Sequence, residues 1–105
     1  MTDPIPATGF RHVVAFRWTA ESTAEQRSAA VSALEVLARD VADLGRLTVG
    51  VDAGLSDGNA DAVVVVDFAE RADYLAYATD PRHVAVVTEH IRPILAERVA
   101  VQHEL

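Results

Sequence analysis

Apolar and polar residues alternate along the first regular segment of the chain. The stretch RHVVAFRW, from Arg11 to Trp18, has the period of two that is typical of a β-strand. Its more apolar face carries His12, Val14, Phe16 and Trp18. We therefore expect that face, including His12, to form either the wall of a pocket or part of the core. Residues 1–9 contain two prolines and show no period, so we interpret them as a loose leader before a single domain at 10–105.

A longer period of three to four residues follows this strand. Apolar residues recur at helical spacing between Val31 and Leu44, which predicts an amphipathic helix that stops at Gly45. Ser22 and Glu25 have the spacing of a capping box and predict where the helix begins.

The rest of the chain predicts two strands, a broken helix and a last strand. Arg46–Asp52 and Ala62–Phe68 are the strands, and the second is apolar on both faces, so we expect both faces to be covered. A helix over Glu70–Thr79 must stop near Asp80, because a residue before proline avoids the helical conformation. A second helical stretch runs from Pro81 to Leu95, bent near its end by Pro93, and a final strand passes through Val99 and Val101 to His103.

This order of elements, βαββαβ, predicts an α+β, ferredoxin-like monomer with its helices on one face of the sheet. The other face is rich in valine and needs a cover. The sheet of a second copy is the expected cover, which predicts an isologous homodimer.

Composition excludes several classes of function. A chain of 105 residues fits one domain, and its net charge of −7 with nine scattered arginines argues against a nucleic-acid partner. There is no lysine and no cysteine, which excludes Schiff-base and thiol chemistry. No apolar run is long enough for a membrane span and the start lacks a signal-peptide pattern, so we expect no membrane partner and a cytoplasmic location.

The segment Tyr77-Ala-Thr-Asp-Pro-Arg-His83 carries the most informative chemistry. A protonated phenol and an imidazole on either side of a helix-breaking proline can polarise a carbonyl and remove a nearby proton. The alternative is structural: Tyr77 packs in the core and His83 caps the next helix.

The histidine spacings do not predict a metal site or a cofactor. His83 and His90 are separated by about 10 Å along a continuous helix, too far to share an ion directly, and no HxH, HxxxH or HExxH spacing occurs. A metal held between His12 and His83 is the one possibility left open. The glycines are spaced like turns and no P-loop lysine accompanies them.

The segments RHVVAFRW, AVVVVDF and DYLAYATDPRHVAVV together resemble the stress-responsive dimeric A/B barrel (Dabb) family over nearly all of Phe10 to Val101. The family includes olivetolic acid cyclase-like proteins, which catalyse an aldol condensation without metal or cofactor. The resemblance implies that the sheets of two copies enclose a dimeric α+β barrel. It also implies that His83 and Tyr77 are catalytic and that His12 contacts the substrate. We add as candidate substrate-binding residues Val14, Phe16, Leu34 and Tyr74.

Two positions differ from the cyclase pattern. Ala62 stands where the cyclase has a histidine, and Leu34 stands where it has a pocket tyrosine. The resemblance therefore implies a less polar pocket and a different substrate.

The function expected from the sequence is binding of a small hydrophobic, polyketide-like carbonyl compound, with cofactor-independent cyclase or lyase chemistry by His83 and Tyr77. A non-enzymatic stress-response or small-molecule-binding protein is the first alternative. A cofactor-free oxygenase is the second.

Overall fold

A four-stranded antiparallel sheet forms one layer of the protein and helices form the other. The computed structural model describes residues 9–105. The elements, in chain order, are β1 (Phe10–Trp18), α1 (Ala24–Asp40), β2 (Arg46–Val51), β3 (Ala62–Phe68), α2 (Arg71–Thr79), α3 (Pro81–Val86) and β4 (Leu95–Glu104). A π-helical turn, Val87–Ile91, and a 3₁₀ turn, Arg92–Ile94, connect α3 to β4.

The strands lie in the order β2-β3-β1-β4, and every neighbouring pair is antiparallel. This is the ferredoxin-like arrangement, so the predicted fold class is confirmed. His12 in β1 pairs with Val66 of β3 on one side and with Gln102 of β4 on the other. The first and last strands are therefore neighbours in the sheet although about ninety residues separate them in sequence.

Only one face of the sheet is covered by the helices. Alternate residues of β1 and β3 are buried, and they join Leu34 and Leu37 of α1 in one hydrophobic core. On the other face, Val99 and Val101 of β4 are 64% and 56% exposed. Val65 of β3 lies on this face and is half-buried. The sequence predicts that both faces of β3 are covered. Within the single chain, only the face under the helices is covered.

The capping box of α1 lies one residue later than predicted. The Thr23 hydroxyl accepts a hydrogen bond from the Gln26 N–H at 3.0 Å, and the Gln26 side chain accepts one from the Thr23 N–H at 2.9 Å. The assignment to Ser22 and Glu25 was wrong, because the sequence offers two overlapping pairs with the same spacing. The Ser22 hydroxyl instead donates to the Thr19 carbonyl at 2.7 Å.

Helix α1 also ends earlier than expected, at Asp40, and a turn leads to Gly45. A side chain at Gly45 would place a Cβ 2.7 Å from a ring carbon of Phe68, closer than packed atoms approach. The glycine is thus needed for the close approach of this turn to β3.

The last strand begins at Leu95, four residues before Val99. The Thr19 N–H donates to the Ile94 carbonyl at 2.8 Å, and Leu95 pairs with Trp18. Pairing with the end of β1 extends β4 backward. None of the helices formed by residues 9–105 has the length and hydropathy that crossing a bilayer requires. The predicted leader lies, except for Gly9, outside the described residues and stays a prediction.

Candidate functional site

A cavity of about 360 Å³ lies between the helix-covered face of the sheet and the region around α3. Its walls include six of the seven residues singled out from the sequence: His12, Val14, Phe16, Leu34, Tyr77 and His83. The other lining residues are Val64, Val87, Ile91, Arg92, Leu95 and Arg98. The structure therefore brings most of the predicted site residues to one place.

Tyr77 and His83 meet in this cavity because the chain turns between them. Helix α2 ends at Thr79, and Asp80 caps α3, which begins at Pro81. The turn places the centres of the Tyr77 and His83 rings 4.2 Å apart.

The Tyr77 side chain is a proton donor in this environment. Tyr77 is 2% exposed, and this burial raises its pKa well above the ordinary value of a phenol. Its hydroxyl has no hydrogen-bond partner in residues 9–105, yet no fully buried side-chain N or O atom there lacks a partner. Because Tyr77 lines the cavity, a ligand atom there can accept a hydrogen bond from this hydroxyl.

His83 is set up as a proton acceptor. Its Nδ1 lies 3.2 Å from the carbonyl oxygen of Ala78, and because a carbonyl only accepts, Nδ1 carries the proton when the ring is neutral. Burial lowers the pKa of His83, although the hydrogen bond to Ala78 and the charge of Asp80 oppose this effect. The neutral ring is favoured, and Nε2 has a free lone pair.

His12 has the opposite tautomer. The side-chain amide of Gln102 donates to Nδ1 of His12 at 2.8 Å, which places the ring proton on Nε2. Burial first, and then the positive charges of Arg98 and His83, lower the pKa of His12 to about 4. His12 is therefore neutral near pH 7 and offers a hydrogen bond from Nε2.

An ion-pair network anchors the start of α3, the helix that carries His83. Asp80 accepts hydrogen bonds from the backbone N–H and the guanidinium of Arg82, and these bonds lower the pKa of Asp80 to about 2. The same guanidinium also donates to the carbonyl of Asp40 and to the carboxylate of Asp43. The beginning of α3 is thus tied to the end of α1.

Tyr74 is the one predicted site residue that the structure places outside the cavity wall. Its ring centre lies 5.1 Å from that of His12, and it packs between Phe10 and Phe68 at 5.8 and 5.9 Å. Its position supports the His12 ring from behind.

Arg92, Arg98 and Gln102 are site residues that sequence reasoning missed. Arg98 and Gln102 lie on β4, opposite Phe16 and His12 of β1. A local pattern could not reveal these pairs, since they depend on which strands become neighbours.

A second, larger cavity of about 460 Å³ is lined by Trp18, Glu35, Asp52 and Asp61, among others. It contains neither histidine nor tyrosine. The Asp61 carboxylate is already engaged by the Trp18 N–H at 2.7 Å. In the described part of the chain, no group of three or more His, Cys, Asp or Glu side chains is placed to hold a metal ion. The cavity with Tyr77 and His83 is thus the stronger candidate site.

Similarity to known proteins extends over the whole described domain. A family model, the stress responsive A/B barrel domain (Dabb), matches residues 10–104. A dimeric ferredoxin-like protein of unknown function from Thermobifida fusca is 38% identical, with a TM-score of 0.84, over 92% of this chain and 91% of that chain.

Two more distant structures share the fold. The hydroxynitrile lyase from Passiflora edulis is 18% identical, with a TM-score of 0.80 and 95% of each chain covered. A Dabb family protein from Mesorhizobium loti is 17% identical, with a TM-score of 0.74, over 90% of this chain and 94% of that chain. Among curated proteins no match was found. The family model and the 38% identity agree with the fold, and the chain belongs to the stress responsive A/B barrel (Dabb) domain family.

Proposed function

We propose that the cavity binds a small hydrophobic carbonyl compound and that His83 and Tyr77 catalyse proton transfer next to its carbonyl group. The observation that carries the proposal is the meeting of a neutral imidazole with a protonated phenol that has no hydrogen-bond partner in residues 9–105; the two ring centres lie 4.2 Å apart in one cavity. This combination is what removal of a proton alpha to a carbonyl requires.

In the proposed step, Nε2 of His83 takes the proton from the carbon beside the carbonyl. The electrons of the C–H bond form a C=C bond, and the carbonyl π electrons move to the oxygen. The Tyr77 hydroxyl donates a hydrogen bond to that developing enolate oxygen. If the ligand has a second carbonyl, the enolate carbon can attack it; the π electrons of that carbonyl move to its oxygen, and protonated His83 returns its proton to the resulting alkoxide, which completes the condensation step of a cyclase. The reverse order of steps is a lyase reaction.

The lining of the cavity supports a mostly apolar ligand. Val14, Phe16, Leu34 and Val64 contribute hydrocarbon surface to its walls. Leu34 occupies the position where the cyclase pattern has a tyrosine, so fewer polar groups are available to orient hydroxyls of a substrate. The likeness to the Passiflora edulis hydroxynitrile lyase, at 18% identity, concerns the fold alone and makes a lyase reaction a hypothesis to test.

We also propose that the protein is a homodimer whose uncovered sheet face packs on that of a second copy. Exposure of the β4 valines to water is energetically unfavourable, and the Thermobifida fusca protein is dimeric. Light scattering should give twice the chain mass, and Val101→Glu should shift the protein to monomer. A monomeric natural chain would contradict this proposal. The cytoplasmic location stays a prediction from the sequence.

The catalytic proposal is tested by hydrogen–deuterium exchange. Acetophenone in D₂O exchanges its methyl protons through its enolate or enol, and the loss of the methyl signal in ¹H NMR reports the rate. The natural protein should accelerate this exchange, and His83→Gln should reduce the protein-catalysed rate by roughly 10² to 10⁴. Tyr77→Phe should reduce it by roughly 10² to 10³, since one donor to the oxyanion is lost.

His90→Gln is the matched control, since His90 lies outside the cavity lining. It should leave the exchange rate unchanged. Full activity in His83→Gln would remove His83 from the mechanism. Binding of acetophenone without any accelerated exchange would favour the non-enzymatic binding protein.

A further inference from the structure

The cavity is cationic although the protein is acidic. The chain has sixteen acidic residues against nine arginines, yet among residues 9–105 none of those that line the cavity is an aspartate or a glutamate. Two of them, Arg92 and Arg98, are arginines, and both are exposed. Because they line the cavity and also reach solvent, they lie at its mouth.

Neither arginine has a carboxylate partner within residues 9–105. In that part of the chain, ion pairs occupy Arg11, Arg17, Arg71 and Arg82. The acidic residue next to Arg98 in sequence, Glu97, lies on the opposite face of the sheet, where it pairs with Arg17 at 3.3 Å. Because successive side chains of β4 point to opposite faces of the sheet, Glu97 points away from the cavity and Arg98 points toward it.

The charge of Arg98 acts on the acid–base residues. It contributes to lowering the pKa of His12 and also that of His83. An anion bound beside Arg98 would therefore be held close to the groups that we assign to catalysis.

We propose that the ligand of the cavity carries a carboxylate that binds Arg98 at the mouth, with Arg92 adding positive charge, while its carbonyl group lies inward at Tyr77 and His83. This inference rests on the proposed function and names the substrate class, a carbonyl-containing carboxylic acid. A guanidinium presents a planar pair of N–H donors that matches a carboxylate. The cavity wall has no glycine among its lining residues, and hence no glycine-rich phosphate loop, which favours a carboxylate over a phosphate.

The arrangement gives the ligand one orientation. Apolar walls accept the body of the ligand in either direction, but only the mouth offers a charge partner, and only the buried end offers the Tyr77 hydroxyl. The two polar ends of a keto acid are distinguished by these two groups. A neutral ketone of the same size lacks the outer anchor.

The experiment compares 4-acetylbenzoate with 4-acetylbenzamide, which have nearly the same size and the same ketone but differ in charge. Isothermal titration calorimetry on the full-length protein should show the acid binding at least about tenfold more tightly. Arg98→Gln should abolish this preference by weakening the acid about tenfold, while the affinity for the amide stays within about twofold. Unchanged amide binding would show that the cavity is intact in the variant.

Arg39→Gln is the matched control, because Arg39 is exposed on α1 and does not line the cavity. The substitution changes the net charge by the same amount as Arg98→Gln. It should keep the full preference for the acid. An equal loss in Arg39→Gln would show a general charge effect and overturn the proposal. Equal binding of acid and amide, no binding of either at millimolar concentration, or an equal loss of both in Arg98→Gln would also overturn it.

A third probe separates the sources of negative charge. If 4-acetylphenyl phosphate binds more tightly than 4-acetylbenzoate, the assignment of a carboxylate is wrong. These binding measurements do not depend on whether the protein accelerates hydrogen–deuterium exchange of a methyl ketone. A failure of the catalytic proposal would appear as absent methyl exchange, whereas a failure of this inference would appear as an absent preference for the acid.

Discussion

Acidification should destabilise the protein, and His12 should be a main cause. In the unfolded chain a histidine has a pKa of about 6.5, whereas burial lowers the pKa of His12 in the fold to about 4. Between these values the unfolded state binds a proton that the folded state does not. The stability contributed by neutral His12 is therefore complete above pH 6.5 and is lost as the pH falls toward 4.

The size of this effect follows from the linkage of protonation and folding. One proton costs about 1.4 kcal/mol per pH unit, so the 1.5 units from pH 6.5 to pH 5 correspond to about 2 kcal/mol. His83 contributes in the same direction, since its pKa is lowered as well. Urea denaturation at pH 7 and pH 5, at one fixed protein concentration, measures the difference in the free energy of unfolding.

His12→Asn is the informative variant, because an amide oxygen can accept the hydrogen bond of Gln102 and has no proton to gain in this range. We expect the loss of stability between pH 7 and pH 5 to shrink by about 2 kcal/mol in this variant. His90→Gln, which lies away from the cavity, should keep the full effect of His12. An unchanged pH dependence in His12→Asn would refute the reasoning.

Four further variants test the packing of the core and the capping of α3. Leu37→Ala removes a side chain that is 1% exposed and should lower the free energy of unfolding, measured by chemical denaturation, by about 2 to 5 kcal/mol. Val36→Ala, on the exposed side of α1, should lower it by less than about 1 kcal/mol. Equal losses would contradict the assignment of the core. Gly45→Ala should destabilise the protein by about 1 kcal/mol or more, because its Cβ collides with the Phe68 ring; an unchanged midpoint would contradict that contact. Asp80→Ala should cost about 1 kcal/mol through loss of the α3 cap, measured in the same way, and full stability would show that the cap is dispensable.

The sheet and the first helix could be predicted because their patterns are local. β3 matches its predicted range, Ala62–Phe68, and β1 differs by one residue at its start. Periods of two and of three to four residues need no knowledge of the neighbours. The order of the elements then limits the topology to a few arrangements, of which the ferredoxin-like one is observed.

The boundaries failed where distant contacts decide them. β4 begins at Leu95 because the end of β1 pairs with it, and no feature near Leu95 announces that pairing. The helix after Pro81 changes to a π-helical turn at Val87, where two residues of the turn, Val87 and Ile91, line the cavity. The local sequence predicts only a continuous helix, and tertiary packing determines that a π-helical turn forms there instead.

The candidate site divides in the same way. Tyr77 and His83 are six residues apart, so the proline between them was enough to raise their meeting as one of two interpretations, beside a purely structural role. Arg98 and Gln102 are more than eighty residues from β1, and their place opposite Phe16 and His12 depends on the sheet order. No spacing within the sequence could connect them to the motif.

The proposed acid–base pair and the charge at the cavity mouth lie on different elements of the fold. The acid–base pair belongs to the α2–α3 turn, whereas the charge at the mouth and the tautomer of His12 depend on alternate residues of β4, Arg98 and Gln102. Between them, Ala100 faces Val14 and packs against the core, so the strand is held in place by a residue that contributes no polar group. Exchange of the two polar residues can then alter which ligand binds while the Tyr77–His83 geometry stays as it is. In the proposed mechanism, β4 therefore sets which ligand binds and, through the charge of Arg98, also affects the pKa of His83, whereas the α2–α3 turn holds the reacting pair in place.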